Sequence, residues 1–257
     1  MYRKNKNLGQ HFLKDQAVLD SIISFVDLVP GKSIYEIGPG AGALTTCLVN
    51  HGLTVCAIEL DQRWCHWLKK NFDGQTLSVI NQDALQYPWA ALRDQDVIVG
   101  NLPYNIASEL MCLWVETQVH LKHAVLMMQK EVADRAMAKP GSKHYGRLSI
   151  MLQTYFSVES LLAVPPEAFD PPPKVQSTII RLSPLSKPLC ESTLLGSLKK
   201  VTAAAFSQRR KKCKHGLSTF FSVDDLIRMN IDPELRPESL DIQAFIKLAK
   251  HCHKNEL

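Results

Sequence analysis

The 257-residue sequence has no apolar run near the ~20 residues that a membrane-spanning helix requires. Its first fifteen residues, MYRKNKNLGQHFLKD, lack the apolar core of a secretory signal, so the expectation is a cytoplasmic protein. No C-x-x-C pair occurs among the seven cysteines (Cys47, Cys56, Cys65, Cys112, Cys190, Cys213, Cys252), and their odd number and wide scatter exclude a disulfide framework. They read as reduced structural thiols. The His-Cys-His run at 251–253 has no partner ligand pair, and no metal is expected. Internal repeats and low-complexity tracts are missing too. With 46% hydrophobic and 21% charged residues, the composition excludes disorder, collagen and coiled coil.

Acid is missing from two stretches. Residues 1–14 hold four Lys or Arg and no Asp or Glu. Residues 192–223 hold seven, Lys199, Lys200, Arg209, Arg210, Lys211, Lys212 and Lys214, again with no acid. The formal charge of +5 therefore resolves into eleven positive charges on these stretches and −6 on the remainder. A mildly acidic body with two basic patches suits a polyanionic partner, although a lysine run by itself is more often just a solvated face.

What is present is a regular alternation of β-rich runs and helical patterns. SIYEIG (33–38), TVCAIEL (54–60), LSVINQD (77–83), DVIVGNLPY (96–104) and HAVLMMQ (123–129) read as strands, with helix-like segments between them. This order implies an α/β fold, a mostly parallel Rossmann-like sheet with helices on both faces. VESLLAV (158–164) and VQSTIIRL (175–182) read as an antiparallel pair that closes the sheet. Beyond Ser183 only helical periodicity remains. The expected division is a sheet domain, 1–184, and a small all-helical domain, 185–257.

Ligands in such folds bind beyond the carboxyl ends of the strands. The first strand runs into EIGPGAG, where Gly38, Gly40 and Gly42 permit a tight turn and close approach of a ligand. Glu59 ends the second strand, where a carboxylate can accept both ribose hydroxyls of a nucleoside cofactor. The G-x-G-x-G spacing departs from the pyrophosphate pattern G-x-G-x-x-G, and the loop alone fits a cofactor cradle and a plain turn equally. Asp83, at the third strand tip, can accept from an exocyclic amine such as that of a cofactor adenine, or cap a turn. The fourth strand ends in NLPYN (101–105).

Adenine's exocyclic amine is a poor nucleophile because its lone pair is delocalised into the ring. The Asn101 side-chain carbonyl and a neighbouring backbone carbonyl can accept both amine hydrogens, favouring a tetrahedral nitrogen whose lone pair points at an electrophile. Pro103 stiffens the loop, and Tyr104 offers a flat face to a flipped-out base. In isolation N-x-P-Y is also an ordinary turn; ligand-facing features at four successive strand ends argue for a site.

On these residues the chain resembles the class I S-adenosylmethionine-dependent methyltransferases of the N6-adenine group. It is most similar to the small-subunit ribosomal RNA adenine N6,N6-dimethyltransferases (the KsgA/RsmA family). The similarity runs through GQHFL (9–13), EIGPGAGALT (36–45), AIELD (57–61), QDAL (82–85), GNLPYNI (100–106), MMQKEVADR (127–135), PPEAFDPPPKVQST (165–178) and AFSQRRK (205–211).

The resemblance implies S-adenosyl-L-methionine as cofactor and a helical RNA-binding domain at the C-terminus. It implies dimethylation of two adjacent adenosines in the 3′-terminal hairpin loop of small-subunit ribosomal RNA, during ribosome biogenesis, by a monomer acting on the immature subunit. Residue by residue, His11 and Leu13 would close over the methionine end of the cofactor and Gly38 would lie beneath it. Glu59 would hold the ribose, Asp83 the adenine, and Asn101 would sit between cofactor and target. Catalysis would fall to Asn101, the Leu102 backbone carbonyl, Pro103 and Tyr104, with Phe169 covering the other face of the stacked base. His11 departs from the family, where Asn is usual.

In the basic stretch, Leu198, Val201 and Ala205 are expected to face a helical core. Lys199, Arg209, Arg210, Lys211 and Lys214 would form a surface for RNA backbone, positioning rather than specifying. Competing readings are an antibiotic-resistance type of dimethyltransferase acting on large-subunit RNA, disfavoured by FDPPPKVQS and the helical tail, and a ribosome-assembly binding factor. A DNA adenine methyltransferase (motif beginning Asp-Pro-Pro), a nicotinamide oxidoreductase (no hydride-transfer acid) and a cytosine-C5 enzyme (no Pro-Cys nucleophile) fit less well.

Overall fold

The computed structural model describes residues 11–26, 33–72, 76–103 and 105–256. Two compact units emerge, Met1–Ala133 with Ser157–Pro184, and Asp134–Phe156 with Leu185–Leu257. This differs from the expected 1–184 and 185–257 in one segment, 134–156, which belongs to the second unit. The physical reason is a helix, Arg147–Gln153, that buries Leu148, Ile150, Met151 and Leu152 among the C-terminal helices.

The strands, in chain order, are β1 (Phe12–Leu13), β2 (Ser33–Ile37), β3 (Thr54–Glu59), β4 (Leu77–Asn81), β5 (Val97–Asn101), β6 (His123–Gln129), β7 (Phe156–Val164), β8 (Phe169–Asp170) and β9 (Ser177–Pro184). Among the described residues seven of them form one sheet in the order β4-β3-β2-β5-β6-β9-β7. β4, β3, β2, β5 and β6 are mutually parallel, and β9 runs antiparallel to β6. In β5 and β6 nearly every side chain is buried, as expected for strands covered on both faces. From β2 the chain winds outward through β3 to β4, then returns to β5 and winds the other way. That reversal leaves a crevice at the carboxyl ends of β2 and β5. β1 and β8 pair separately as a two-stranded ribbon.

The sheet-side helices are α1 (Gln16–Phe25), α2 (Ala43–Asn50), α3 (Gln62–Asn71) and α4 (Ala107–Glu116). Asp15 and Asp61 cap α1 and α3, accepting from the backbone N–H of Val18 (3.2 Å) and Arg63 (3.0 Å). Each such cap stabilises its helix by about 1 kcal/mol. α5 (Lys130–Met137) leaves β6 and crosses into the second unit, where α6 is Arg147–Gln153.

The second unit is completed by α7 (Leu195–Ser207), α8 (Cys213–Gly216), α9 (Val223–Arg228) and α10 (Ile242–Glu256). Leu198, Val201 and Ala205 are fully buried there, on the face expected from their spacing. Phe206 stacks on Phe245 with ring centres 5.8 Å apart, and Tyr145 meets Phe206 edge-on at 6.4 Å. None of the seven cysteines forms a disulfide. Among the described residues no helix is long and apolar enough to cross a membrane.

Candidate active site

A cleft of about 290 Å³ occupies the crevice at the switch point. It is lined by the glycine loop, Glu36, Glu59, Asp83, Asn101–Pro103 and, from the N-terminal side, His11–Leu13. Gly38 and Gly40 adopt φ of +65° and +54°, the left-handed region that L side chains rarely enter. At Gly40 space matters as well, since an added Cβ would lie 2.8 Å from the Phe12 ring. The ring rests on the loop because nothing protrudes from it.

Three carboxylates converge on the cleft. Glu59 is buried; its Oε2 accepts from Gly40 N–H at 3.0 Å and its Oε1 from Asp61 N–H at 2.8 Å. It thereby ties the glycine loop to the start of α3, and each oxygen keeps a lone pair for a ligand hydroxyl. Burial raises the Glu59 pKa above the ordinary value, opposed by those backbone donors. Asp83 is half-buried, and one oxygen caps the turn after β4 by accepting from Leu85 N–H at 2.9 Å. The turn is anchored from below, where Trp89 Nε1 donates to the Ala84 carbonyl at 2.7 Å. Asp83 thus caps a turn and also faces the cleft.

The third carboxylate, Glu36, escaped the sequence reading. It heads EIGPGAG, is buried, and accepts from Thr45 Oγ1 at 2.6 Å. Burial pushes its pKa up to about 7. The available signal was an acid at a strand end directly before a glycine loop, with a hydroxyl nine residues on.

No Lys or Arg is among the described residues that line the cleft. Carboxylates without a fixed cation suit a positively charged ligand and oppose a pyrophosphate. S-adenosylmethionine, with a sulfonium and an ammonium group, fits this donor set.

β5 delivers Asn101 to the opposite wall. The loop after it is pinned: Leu102 N–H donates to the Met127 carbonyl (2.9 Å) and Ile106 N–H to the Pro103 carbonyl (3.2 Å). Asn101 Nδ2 donates to the His11 backbone carbonyl at 3.0 Å. His11 in turn holds the Pro171 carbonyl from Nδ1 at 2.8 Å, so that nitrogen carries the hydrogen. Leu13 pairs with Phe169 in the β1–β8 ribbon, and Lys14 N–H donates to the Ala168 carbonyl at 2.9 Å. Residues 11–14 form a strap fastened along the cleft. Tyr104 lies outside the described residues.

Phe169 departs from its expected place. It is fully buried in the core beside Leu13, Val18 and Ile179, does not line the cleft, and has no exposed ring face for a base. Its backbone pairs with Leu13 of the strap. In the second unit Arg209 also departs: its Nε donates to Glu238 at 2.8 Å and its guanidinium to the Lys143 carbonyl at 2.5 Å. This half-buried arginine holds a loop of its own unit. Lys199, Arg210 and Lys211 are exposed, whereas Lys214 shares Glu234 with Lys212.

The family model for ribosomal RNA adenine dimethylases matches residues 1–254. The chain belongs to the ribosomal RNA adenine dimethylase family. A curated relative, ribosomal RNA small subunit methyltransferase A of Herminiimonas arsenicoxydans, is 43% identical over 95% of this chain and 96% of its own length. The Pseudomonas aeruginosa protein of the same description is 41% identical over 96% and 94%. Among solved structures, a dimethyladenosine transferase from Plasmodium falciparum superposes with a TM-score of 0.81 at 28% identity, covering 96% of this chain and 99% of that one. The 23S rRNA methyltransferase ErmE shares the fold, with a TM-score of 0.69 at 24% identity over 93% and 98%. The chain is therefore an S-adenosylmethionine-dependent adenine dimethylase of ribosomal RNA.

Proposed function

We propose that this dimethylase converts two adjacent adenosines in the 3′-terminal hairpin loop of small-subunit ribosomal RNA to N6,N6-dimethyladenosine. It does so on the immature small subunit, as a single chain in the cytoplasm. The observation that carries the reading is the Asn101 amide, held by the His11 carbonyl at the rim of a carboxylate-lined cleft. Full-length similarity to small-subunit methyltransferases favours that subunit, and seven cysteines outside any disulfide suit a reducing compartment.

When bound, S-adenosylmethionine supplies a methyl group on a positively charged sulfur. The protein's part is to receive and aim the adenine amine. Asn101 Oδ1 and the Leu102 carbonyl accept its two hydrogens, so that its lone pair is presented without a strong base. The pinned Leu102–Pro103 backbone keeps these acceptors fixed, which converts alignment into rate. Tyr104 supplies the stacking face, and a loop base is cheaper to extrude than one in a duplex. Exposed Arg210 and Lys211 in the second unit engage RNA phosphates.

The test is to incubate the protein with labelled S-adenosylmethionine and either undermethylated small subunits or large subunits, then digest the RNA and identify the labelled nucleoside. N6,N6-dimethyladenosine from small subunits is expected. The same product arising only from large subunits would overturn the choice.

A further inference from the structure

The basic stretch of the second unit contains an acid that the sequence places elsewhere. An open bowl there is lined by Arg210, Lys211, Lys212, His215 and Arg236, and by one acidic residue, Glu234. Glu234 is bidentate in effect: Oε2 takes the ammonium of Lys212 and Oε1 that of Lys214. The backbone builds this arrangement. Cys213 N–H donates to the Leu235 carbonyl at 2.7 Å, Lys214 N–H to the Pro233 carbonyl at 3.3 Å, and Glu234 N–H to Asp232 Oδ1 at 2.8 Å. The 232–235 turn is thus clamped over the start of α8, and Glu234 has little choice but to face the two lysines. Hydrogen bonds from Lys212 and Lys214 hold its carboxyl down at about 2, so it is ionised across the whole working range of pH.

A carboxylate that bridges two ammonium groups occupies them as two oxygens of a phosphodiester would. We propose that Glu234 is a built-in competitor for RNA phosphate: it holds Lys212 and Lys214 in the free protein and must yield them when backbone phosphates enter the bowl. This rests on the reading of the 210–214 stretch as an RNA surface and deepens it. The effect is to weaken binding to any phosphate backbone, leaving recognition to contacts that only the proper RNA makes. Arg210, Lys211 and Arg236 supply the attraction; Glu234 limits it. The exposure of the bowl keeps the exchange inexpensive, because exposed ion pairs are individually weak.

The test uses the full chain, its Glu234→Gln variant and a labelled RNA hairpin, with affinity measured by fluorescence anisotropy over a range of KCl concentrations. Each phosphate neutralised contributes roughly 0.7–0.9 to the slope of log K against log salt. Glu234→Gln removes the one negative charge that offsets Lys212 and Lys214, so it should steepen the slope by about that amount and tighten binding about 5- to 10-fold near 0.1 M salt. Adding Lys212→Ala and Lys214→Ala to Glu234→Gln should cancel the gain. Unchanged or weaker binding by Glu234→Gln, while Arg210→Ala and Lys211→Ala flatten the slope, would overturn the competitor role and leave the RNA surface standing. A slope that none of these substitutions alters would overturn the RNA surface itself, and the proposal with it. Glu234 is half exposed, so the glutamine variant should fold normally, and an unchanged melting profile verifies it.

Discussion

The side-chain amide of Asn101 donates from Nδ2 to the backbone carbonyl of His11 across 3.0 Å. A carbonyl oxygen can only accept, so the amide nitrogen must face the strap, and Oδ1 is left as the acceptor for an incoming amine. Under the proposed mechanism, the strap decides which end of the Asn101 amide is presented to the target amine. Asn101→Ala should lower the single-turnover rate at saturating cofactor on the order of 10²–10³-fold, by analogy with the loss of one oriented polar group elsewhere. Asn101→Asp keeps an acceptor but sets an oxygen against the His11 carbonyl, and should be slowed comparably. Rapid-quench methylation of undermethylated subunits measures both, and a fast Asn101→Asp would show that the strap contact does not matter.

Glu36 makes stability depend on pH. Its folded pKa of about 7 lies above the ordinary 4.5, so between those values the folded state binds more protons than the unfolded one. Stability contributed by this group is complete below about pH 4.5, declines as pH rises towards 7, and levels off above it. The full span is at most about 3 kcal/mol. Glu36→Gln keeps an acceptor for Thr45 Oγ1 and removes the charge. Relative to wild type it should gain stability at pH 8 and not at pH 5, as read from urea unfolding at both values. An equal difference at the two pH values would refute the assignment.

That Gly38, Glu59, Asp83 and Asn101 share one cleft was legible because each ends an apolar run, and parallel strands bring their carboxyl ends together whatever the helices between them do. Phe169 was not legible. Its neighbours, DPPPK, carry turn chemistry that suggests a surface loop, and its pairing partner Leu13 lies far upstream. Arg209 and Arg210 are adjacent and alike in sequence, yet Glu238, twenty-nine residues beyond Arg209, claims only the first of them among the described contacts. Membership of 134–156 in the second unit escaped for a similar reason: local periodicity identifies a helix but not the surface that buries it.

The burial of Phe169 separates two roles by experiment. A ring that stacked on the target base would, on truncation, cost turnover and spare the fold. A ring fully enclosed by the core beside Leu13 should, as Phe169→Ala, cost about 3–5 kcal/mol of unfolding free energy. Strap anchoring adds a second signature, since loosening β8 from β1 should weaken cofactor binding as well. Denaturant titration and calorimetry with S-adenosylmethionine report the two effects. Unchanged stability with reduced turnover would restore the stacking role.

Arg209 and Arg210 should respond oppositely to the same substitution. Arg209 joins Glu238 to the carbonyls of Ser142 and Lys143 within the second unit, and its loss leaves a half-buried carboxylate without its partner. Arg209→Ala should destabilise that unit by on the order of 1–2 kcal/mol, since the pair is partly solvated and charged hydrogen bonds of this kind are individually modest. Arg210, exposed and lining the basic bowl, should change melting little on conversion to Ala. Its RNA affinity should fall at low salt, with a slope shallower by about 0.7–0.9. Melting curves and salt-dependent binding of the two variants, measured side by side, decide the matter. If Arg209→Ala melts like wild type and loses the RNA slope instead, its contacts to Glu238 and the 142–143 carbonyls are dispensable, and it belongs on the RNA surface after all.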